Sequence, residues 1–162
     1  MLKTAKMFSD HMVLQRNKPI PVWGEAAPGD PVTVELDGSR VQAQANENGH
    51  WLAYLPEREA GVGLCLQVRN GQEQQTFHDV CVGEVWLAGG QSNMEFLMKY
   101  EEIFEYEKIY CEDEHLRFYN VPQYSFFGEE HEGFKEKNGF NKWHKANREN
   151  LWCFSAAGYY HA

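Results

Sequence analysis

Ser92 stands between Gln91 and Asn93 in the run "VWLAGGQSNMEF", residues 85–96. A serine hydroxyl is a weak nucleophile. To attack an ester it needs exposure on a sharp turn, a base to take its proton, and donors for the developing oxyanion. The run Val85-Trp86-Leu87-Ala88 reads as the end of a strand, and Gly89 and Gly90 let the backbone come close to a ligand. From Met94 onward the pattern turns helical, which places the amides around Ser92 at a helix start, where unsatisfied N–H groups and the dipole favour negative charge. Ser92 is therefore the candidate nucleophile, and its own backbone N–H a candidate oxyanion donor. Gly90, Gln91 and Asn93 are the candidate substrate contacts. A competing role exists, because serine or asparagine before a helix commonly caps its first turn. The run is also not a G-x-S-x-G elbow, since Asn93 and Met94 follow the serine.

A proton acceptor is harder to find. The aspartates are Asp10, Asp30, Asp37, Asp79 and Asp113, and none has a histidine three residues on. In "DEH", Asp113 and His115 are two apart. His131 and His144 fall in a polar stretch and His161 near the end; each reads as a solvated or partly buried residue rather than a base. Cys65, Cys81, Cys111 and Cys153 form no C-x-x-C pair, so no zinc or redox motif is expected. Reduced thiols in a cytosolic protein are the simplest account of them.

The elements that must position Ser92 divide at about residue 83. Residues 1–82 are rich in β-type residues and punctuated by turns. "VTVELDG" alternates Val32, Val34 and Leu36 on one face, Asp37-Gly38 supplies a hairpin turn, and "SRVQAQA" alternates in reply. Asn70-Gly71 is a second hairpin signal after "GLCLQVRN". Regular short strands with glycine turns predict a β-sandwich, Ig-like or jelly-roll-like. From 83 to 162 the order changes. "VGEVWLA" predicts a strand, "MEFLMKYEEIFEYEKIY" an amphipathic helix, and "HLRFYNVP" at 115–122 a second strand. A long loop over 123–150 follows, and "LWCFSAAGYYHA" opens another helix with small residues at 155–158 for close packing. This order predicts the beginning of an α/β domain with a parallel sheet, unfinished because one strand–helix–strand unit cannot cover both faces.

The formal net charge of −9 makes nucleic acid and anionic membrane surfaces poor partners. The acidic run 101–114 reads as a solvated helix face. With 14% aromatic residues, many rings are expected in the core. The N-terminus lacks the apolar stretch of a secretory signal, and no apolar run is long enough to cross a bilayer, so a soluble cytoplasmic protein is expected.

Three segments carry a family resemblance. "GEVWLAGGQSNMEF", residues 83–96, resembles the first block of the sialate O-acetylesterase group within the SGNH hydrolases. "MFSDHMVLQRNKPIPVWGEAAPGDPVTVELDG", residues 7–38, is similar to the N-terminal β domain of these esterases. "LWCFSAAGYY", residues 151–160, resembles the segment where their first long loop re-enters the hydrolase core. The resemblance implies a flavodoxin-like three-layer α/β domain behind the β domain. It implies that Ser92 attacks an acetyl ester on a sugar hydroxyl, forms an acetyl-enzyme and is freed by water. The implied substrates are O-acetylated carbohydrates, sialic acids or acetylated xylan among them, with no metal or organic cofactor. The family's histidine lies in a D-x-x-H motif near the C-terminus, and further oxyanion donors, a Gly and an Asn, come from intervening blocks. None of these occurs here. The chain thus reads as the N-terminal portion of a longer enzyme, a truncated gene product or a degenerate copy, with the missing C-terminal part of the esterase domain as a partner. The alternatives are a non-catalytic sugar- or partner-binding β module, and an enzyme whose base comes from another chain.

Overall fold

A computed structural model describes residues 1–121 and 142–162. Of the loop expected over 123–150, residues 123–141, His131 included, lie outside the described residues, and residues 143–146 form a strand instead. The chain divides into two compact units, Met1–Val85 and Trp86–Ala162.

The first unit is built from eight strands: β1 (Lys3–Thr4), β2 (Val13–Gln15), β3 (Ile20–Glu25), β4 (Pro31–Leu36), β5 (Ser39–Gln44), β6 (His50–Leu55), β7 (Gly61–Arg69) and β8 (Gln74–Gly83). They form a three-stranded sheet, β1-β3-β6, and a five-stranded sheet, β2-β8-β7-β4-β5. All pairings are antiparallel except β2 with β8. The β4–β5 hairpin follows the sequence pattern. Asp37 and Gly38 take φ of 47° and 86°, the left-handed pair that a two-residue hairpin turn needs, and Leu36 pairs with Ser39. Val32, Val34 and Leu36 are buried while Pro31, Thr33 and Glu35 are not, so the side-chain period of two puts one face of β4 inward. In β6, Trp51, Ala53 and Leu55 point in and Leu52 and Tyr54 out, and in β3 Ile20 and Val22 are buried. The Asn70-Gly71 turn closes differently from the first. The Asn70 side-chain oxygen accepts the N–H groups of Gln72 (3.1 Å) and Glu73 (2.8 Å), an Asx turn rather than a two-residue hairpin. Gly24 is required by close approach: a Cβ there would collide with the Lys3 carbonyl and Thr4 Cα of the neighbouring strand. Where β2 enters, His11 Nδ1 meets Asp79 Oδ2 at 2.7 Å, and Asp10 Oδ1 accepts the His78 N–H at 2.7 Å. Both His11 and Asp79 hold positive φ, which this paired side-chain contact helps to fix.

The second unit departs from expectation. β8 ends at Gly83, and no strand forms over 84–90. The single amphipathic helix expected from Met94 to Tyr110 is broken into α1 (Ser92–Glu95), a 3₁₀ turn (Met98–Tyr100) and α2 (Phe104–Tyr110). The first break has a visible cause. The backbone at 96–98 turns extended and pairs with 154–156: the Met98 N–H donates to the Phe154 carbonyl and the Ala156 N–H to the Phe96 carbonyl, both at 2.8 Å. Strand-like pairing there competes with i→i−4 bonding and prevails. β9 (Asp113–Tyr119) is where a strand was expected, but its partner is β10 (Trp143–Ala146), and the pair is antiparallel, not part of a parallel sheet. A 3₁₀ turn (Leu151–Cys153) and α3 (Ala156–His161) follow. Met98, Cys111, Leu151 and Ala156 make a small core, with Phe104 and Tyr159 against it.

The aromatic residues described in this unit are divided between surface and interior, with Phe104, Tyr119, Trp143, Trp152, Phe154 and Tyr159 half-buried. Trp86, Phe96, Tyr100, Tyr106, Tyr110 and Tyr160 are all exposed, and Phe118 is the ring that is buried among those described there. The helical spacing of 94–110 records which residues could share an apolar face. It does not record whether anything covers that face.

Candidate active site

Ser92 is the first residue of α1, and Gln91 occupies the cap position with φ −116° and ψ −142°. The Gln91 carbonyl accepts the N–H groups of Met94 (2.9 Å) and Glu95 (3.1 Å), which closes the turn. No side chain caps this helix, so the competing role for the Ser92 hydroxyl is not taken up. Ser92 is exposed, and its hydroxyl makes no hydrogen bond among the described residues. The N–H groups of Ser92 and Asn93 precede the first intrahelical donors and face no backbone acceptor among the described residues. One expectation needs correction here. α1 is a single turn, so the macrodipole invoked for an oxyanion is small, and any such role would fall to the N–H groups alone. Gly90 packs beside α1, where an added Cβ would approach Met94 Cβ to 3.1 Å. Gln91 and Asn93 are exposed on either side of the serine.

The segment 151–160 lies against this turn. Besides the backbone bonds to Phe96 and Met98, the Ser155 hydroxyl contacts Met94 Sδ at 3.1 Å and accepts the Gly158 N–H at 3.2 Å. Ser155 is thus the true cap, of α3 rather than α1. Sequence reasoning missed this, although a serine ahead of Ala156-Ala157-Gly158 is the usual signal. The small residues serve close packing as expected: Ala156 and Gly158 are buried, and a Cβ on Gly158 would sit 3.4 Å from Phe154 Cζ. Near the same turn, Lys99 Nζ lies 4.8 Å from the Tyr100 ring centroid and 5.3 Å from that of Trp152. The rings of Trp86 and His161 meet edge to face at 5.7 Å.

No described histidine of this unit hydrogen-bonds to Ser92. Asp113 Oδ1 accepts the backbone N–H groups of His115 (2.7 Å) and Leu116 (3.1 Å), so this pair is a turn and not a dyad. His144 is buried and stacked on Phe118 at 5.4 Å. His161 is exposed at the end of α3. The thiols are free; burial holds Cys111 above its ordinary value and pushes Cys153 up to about 11, so neither competes as a nucleophile near neutral pH. Among the described residues no cluster of three metal-ligating side chains occurs, and no helix is long and apolar enough to cross a membrane.

No family model matches the chain. Curated relatives do. The chain is 31% identical to the sialate O-acetylesterase of Pongo abelii over 102 residues, 56% of this chain and 20% of that protein. It is 30% identical to the sialate O-acetylesterase of Mus musculus over 115 residues, 64% of this chain and 21% of that one. A solved structure, a carbohydrate acetylesterase from Xanthomonas citri, superposes on 99% of this chain with a TM-score of 0.86 and 32% identity, using 36% of its own length. The chain is similar to part of the sialate O-acetylesterases. It spans about a fifth of the curated sialate O-acetylesterases it matches and about a third of the solved acetylesterase. Its mostly β architecture with few helices is that esterase's architecture over the shared part.

Proposed function

We propose that this chain is the nucleophile-bearing part of a carbohydrate O-acetylesterase: a β-sandwich domain over about residues 1–82, then the opening of an SGNH-type α/β domain. The observation that carries this is Ser92 itself, an exposed hydroxyl with no hydrogen-bond partner among the described residues, on a glycine-hinged turn beside two free backbone N–H groups. That arrangement suits acyl transfer. Ser92 Oγ adds to the acetyl carbonyl as a base takes its proton, and the carbonyl oxygen becomes an oxyanion facing the Ser92 N–H. Collapse breaks the bond to the sugar oxygen, which leaves as a hydroxyl after taking the proton from the base, and leaves an acetyl-serine. Water, deprotonated by the same base, adds to the acetyl-serine and releases acetate. Gly90, Gln91 and Asn93 flank the acetyl position and hold the substrate. No metal is needed at any step.

The base is the part these residues do not supply. No D-x-x-H motif occurs in the 162 residues, and on this reading the proton acceptor comes from other polypeptide, either of a longer enzyme or of another chain. Removing a triad member costs on the order of 10⁴-fold or more in rate, the oxyanion donors and binding retaining the rest. The 162-residue chain alone should therefore hydrolyse p-nitrophenyl acetate no faster than its Ser92→Ala variant. A chimera in which this chain replaces the matched segment of the Xanthomonas citri acetylesterase should turn over an acetylated sugar. A chimera that folds and is inactive would remove the esterase reading.

A further inference from the structure

The parallel strands of the first unit, β2 and β8, run out of backbone partners together. Gln15 faces Gly83 at the end of the ladder, and the Arg16 N–H still donates to the Gly83 carbonyl at 2.9 Å. Past the ladder, the Val85 N–H is bonded by a side chain instead: Gln15 Oε1 accepts it at 3.1 Å. The other end of that amide is held as well. Gln15 Nε2 donates to Glu84 Oε2 at 3.1 Å and to the Arg16 carbonyl at 3.2 Å. Arg16 Nε donates to Glu84 Oε1 at 2.6 Å. The Arg16 and Glu84 side chains are 40% and 50% exposed, so their ion pair adds little to stability. What the carboxylate does is orient. When ionised it only accepts, so it takes the NH₂ end of Gln15, and that orientation alone turns the amide oxygen to the Val85 N–H.

We propose that Glu84, Gln15 and Val85 form a proton-controlled clamp at the end of β8: ionised Glu84 pins the Gln15 amide with its oxygen on the Val85 N–H, and protonation of Glu84 unpins it and frees that N–H. Two small terms decide this. Fixing a side chain as long as Gln costs conformational entropy comparable to the net worth of a neutral hydrogen bond, so holding it takes the charge-assisted one. A protonated carboxyl is neutral and offers a donor beside its acceptor, so it neither holds the amide as firmly nor selects one end of it. The charged groups facing Glu84 among the described residues are Arg16 and, more weakly, Lys18, both cationic. Hydrogen bonds from Gln15 and Arg16 hold the Glu84 carboxyl below its ordinary value. The clamp is therefore closed above the usual carboxylate range and opens as pH falls through that lowered value. It lies within the first unit and does not rest on the esterase reading. What it governs is the backbone at Val85, the last residue of that unit and the first of the run "VWLAGGQSNMEF".

Amide exchange followed by NMR on the 162-residue chain tests the clamp. At pH 7 the Val85 amide should be protected. Glu84→Gln, neutral at every pH, should speed its exchange by about tenfold, the effect of losing one hydrogen bond. The Val34 amide, on a strand paired on both sides, should stay protected in the same variant. Gln15→Ala should open Val85 to the same extent, and adding Glu84→Gln to it should change nothing further. Arg16→Ala separates the clamp from a plain ion pair. Val85 should stay protected at pH 7 in that variant, because the carboxylate still holds Gln15, and should open at a higher pH on acidification than in the unsubstituted chain. Protection of Val85 that survives Glu84→Gln would overturn the proposal. So would an Arg16→Ala chain whose Val85 amide is as open at pH 7 as that of Glu84→Gln.

Discussion

At the scale of single residues, two serines exchange the roles their positions suggest. Ser92 precedes what reads as a long helix and looks like a cap, yet its hydroxyl is unbonded. Ser155 caps α3 and touches Met94 beside the nucleophile turn. Their substitutions should therefore separate. Ser155→Ala should cost about 1 kcal/mol of stability, the usual worth of a cap, measured by denaturant unfolding. Ser92→Ala should leave that unfolding curve where it is, since nothing in the described structure bonds to the hydroxyl. Cys153 gives a pH prediction with a definite sign. Burial raises its thiol from 9.0 to about 11 in the folded chain, so folding favours the protonated form. Its contribution is complete below pH 9.0 and is lost as pH rises through about 11. Unfolding of the second unit should become easier across that window, and alkylation of Cys153 by iodoacetamide at pH 8 should be slow beside that of the half-buried Cys65.

At the scale of elements, the two units differ in how much their residues settle locally. The β4–β5 hairpin needs only its own alternation and Asp37-Gly38, and both were legible. Leu66 on β7 is fully buried, and Leu66→Ala should destabilise the first unit by about 2–5 kcal/mol, read from chemical denaturation. The second unit was read wrongly where the answer depended on distant partners. Residues 94–110 have helical spacing, but Phe96 and Met98 bond to 156 and 154, more than fifty residues away, and the helix breaks. Residues 84–88 have a strand's composition, but a strand exists only when another lies beside it. The antiparallel partner of β9 was hidden in a polar stretch, where Trp143 and Ala146 give little alternation. The helix start at Ser92 was legible because two glycines followed by a helical pattern are a local signal, whereas the strand expected before it was not formed.

At the scale of the whole chain, one unit closes its own core and the other does not. Val22, Val32, Val34, Leu66, Val68 and Val80 show no exposed surface in the first unit. Among the described residues, the second buries a handful of side chains around Met98 and Leu151 and leaves Trp86, Leu87, Tyr106 and Tyr110 exposed. Residues 1–85 made alone should melt cooperatively, whereas the full chain should bind a hydrophobic dye through its second unit. A dye-free monomer with one sharp melt would contradict that expectation. The central claim is narrower: that Ser92 takes the acetyl group. The most direct measurement is mass spectrometry of the chimera with the Xanthomonas citri acetylesterase, quenched in acid during turnover of an acetyl ester. The account predicts an added acetyl mass on the peptide containing Ser92, absent in Ser92→Ala. Turnover by the Ser92→Ala chimera at the unsubstituted rate, or acetylation at another residue, would contradict it.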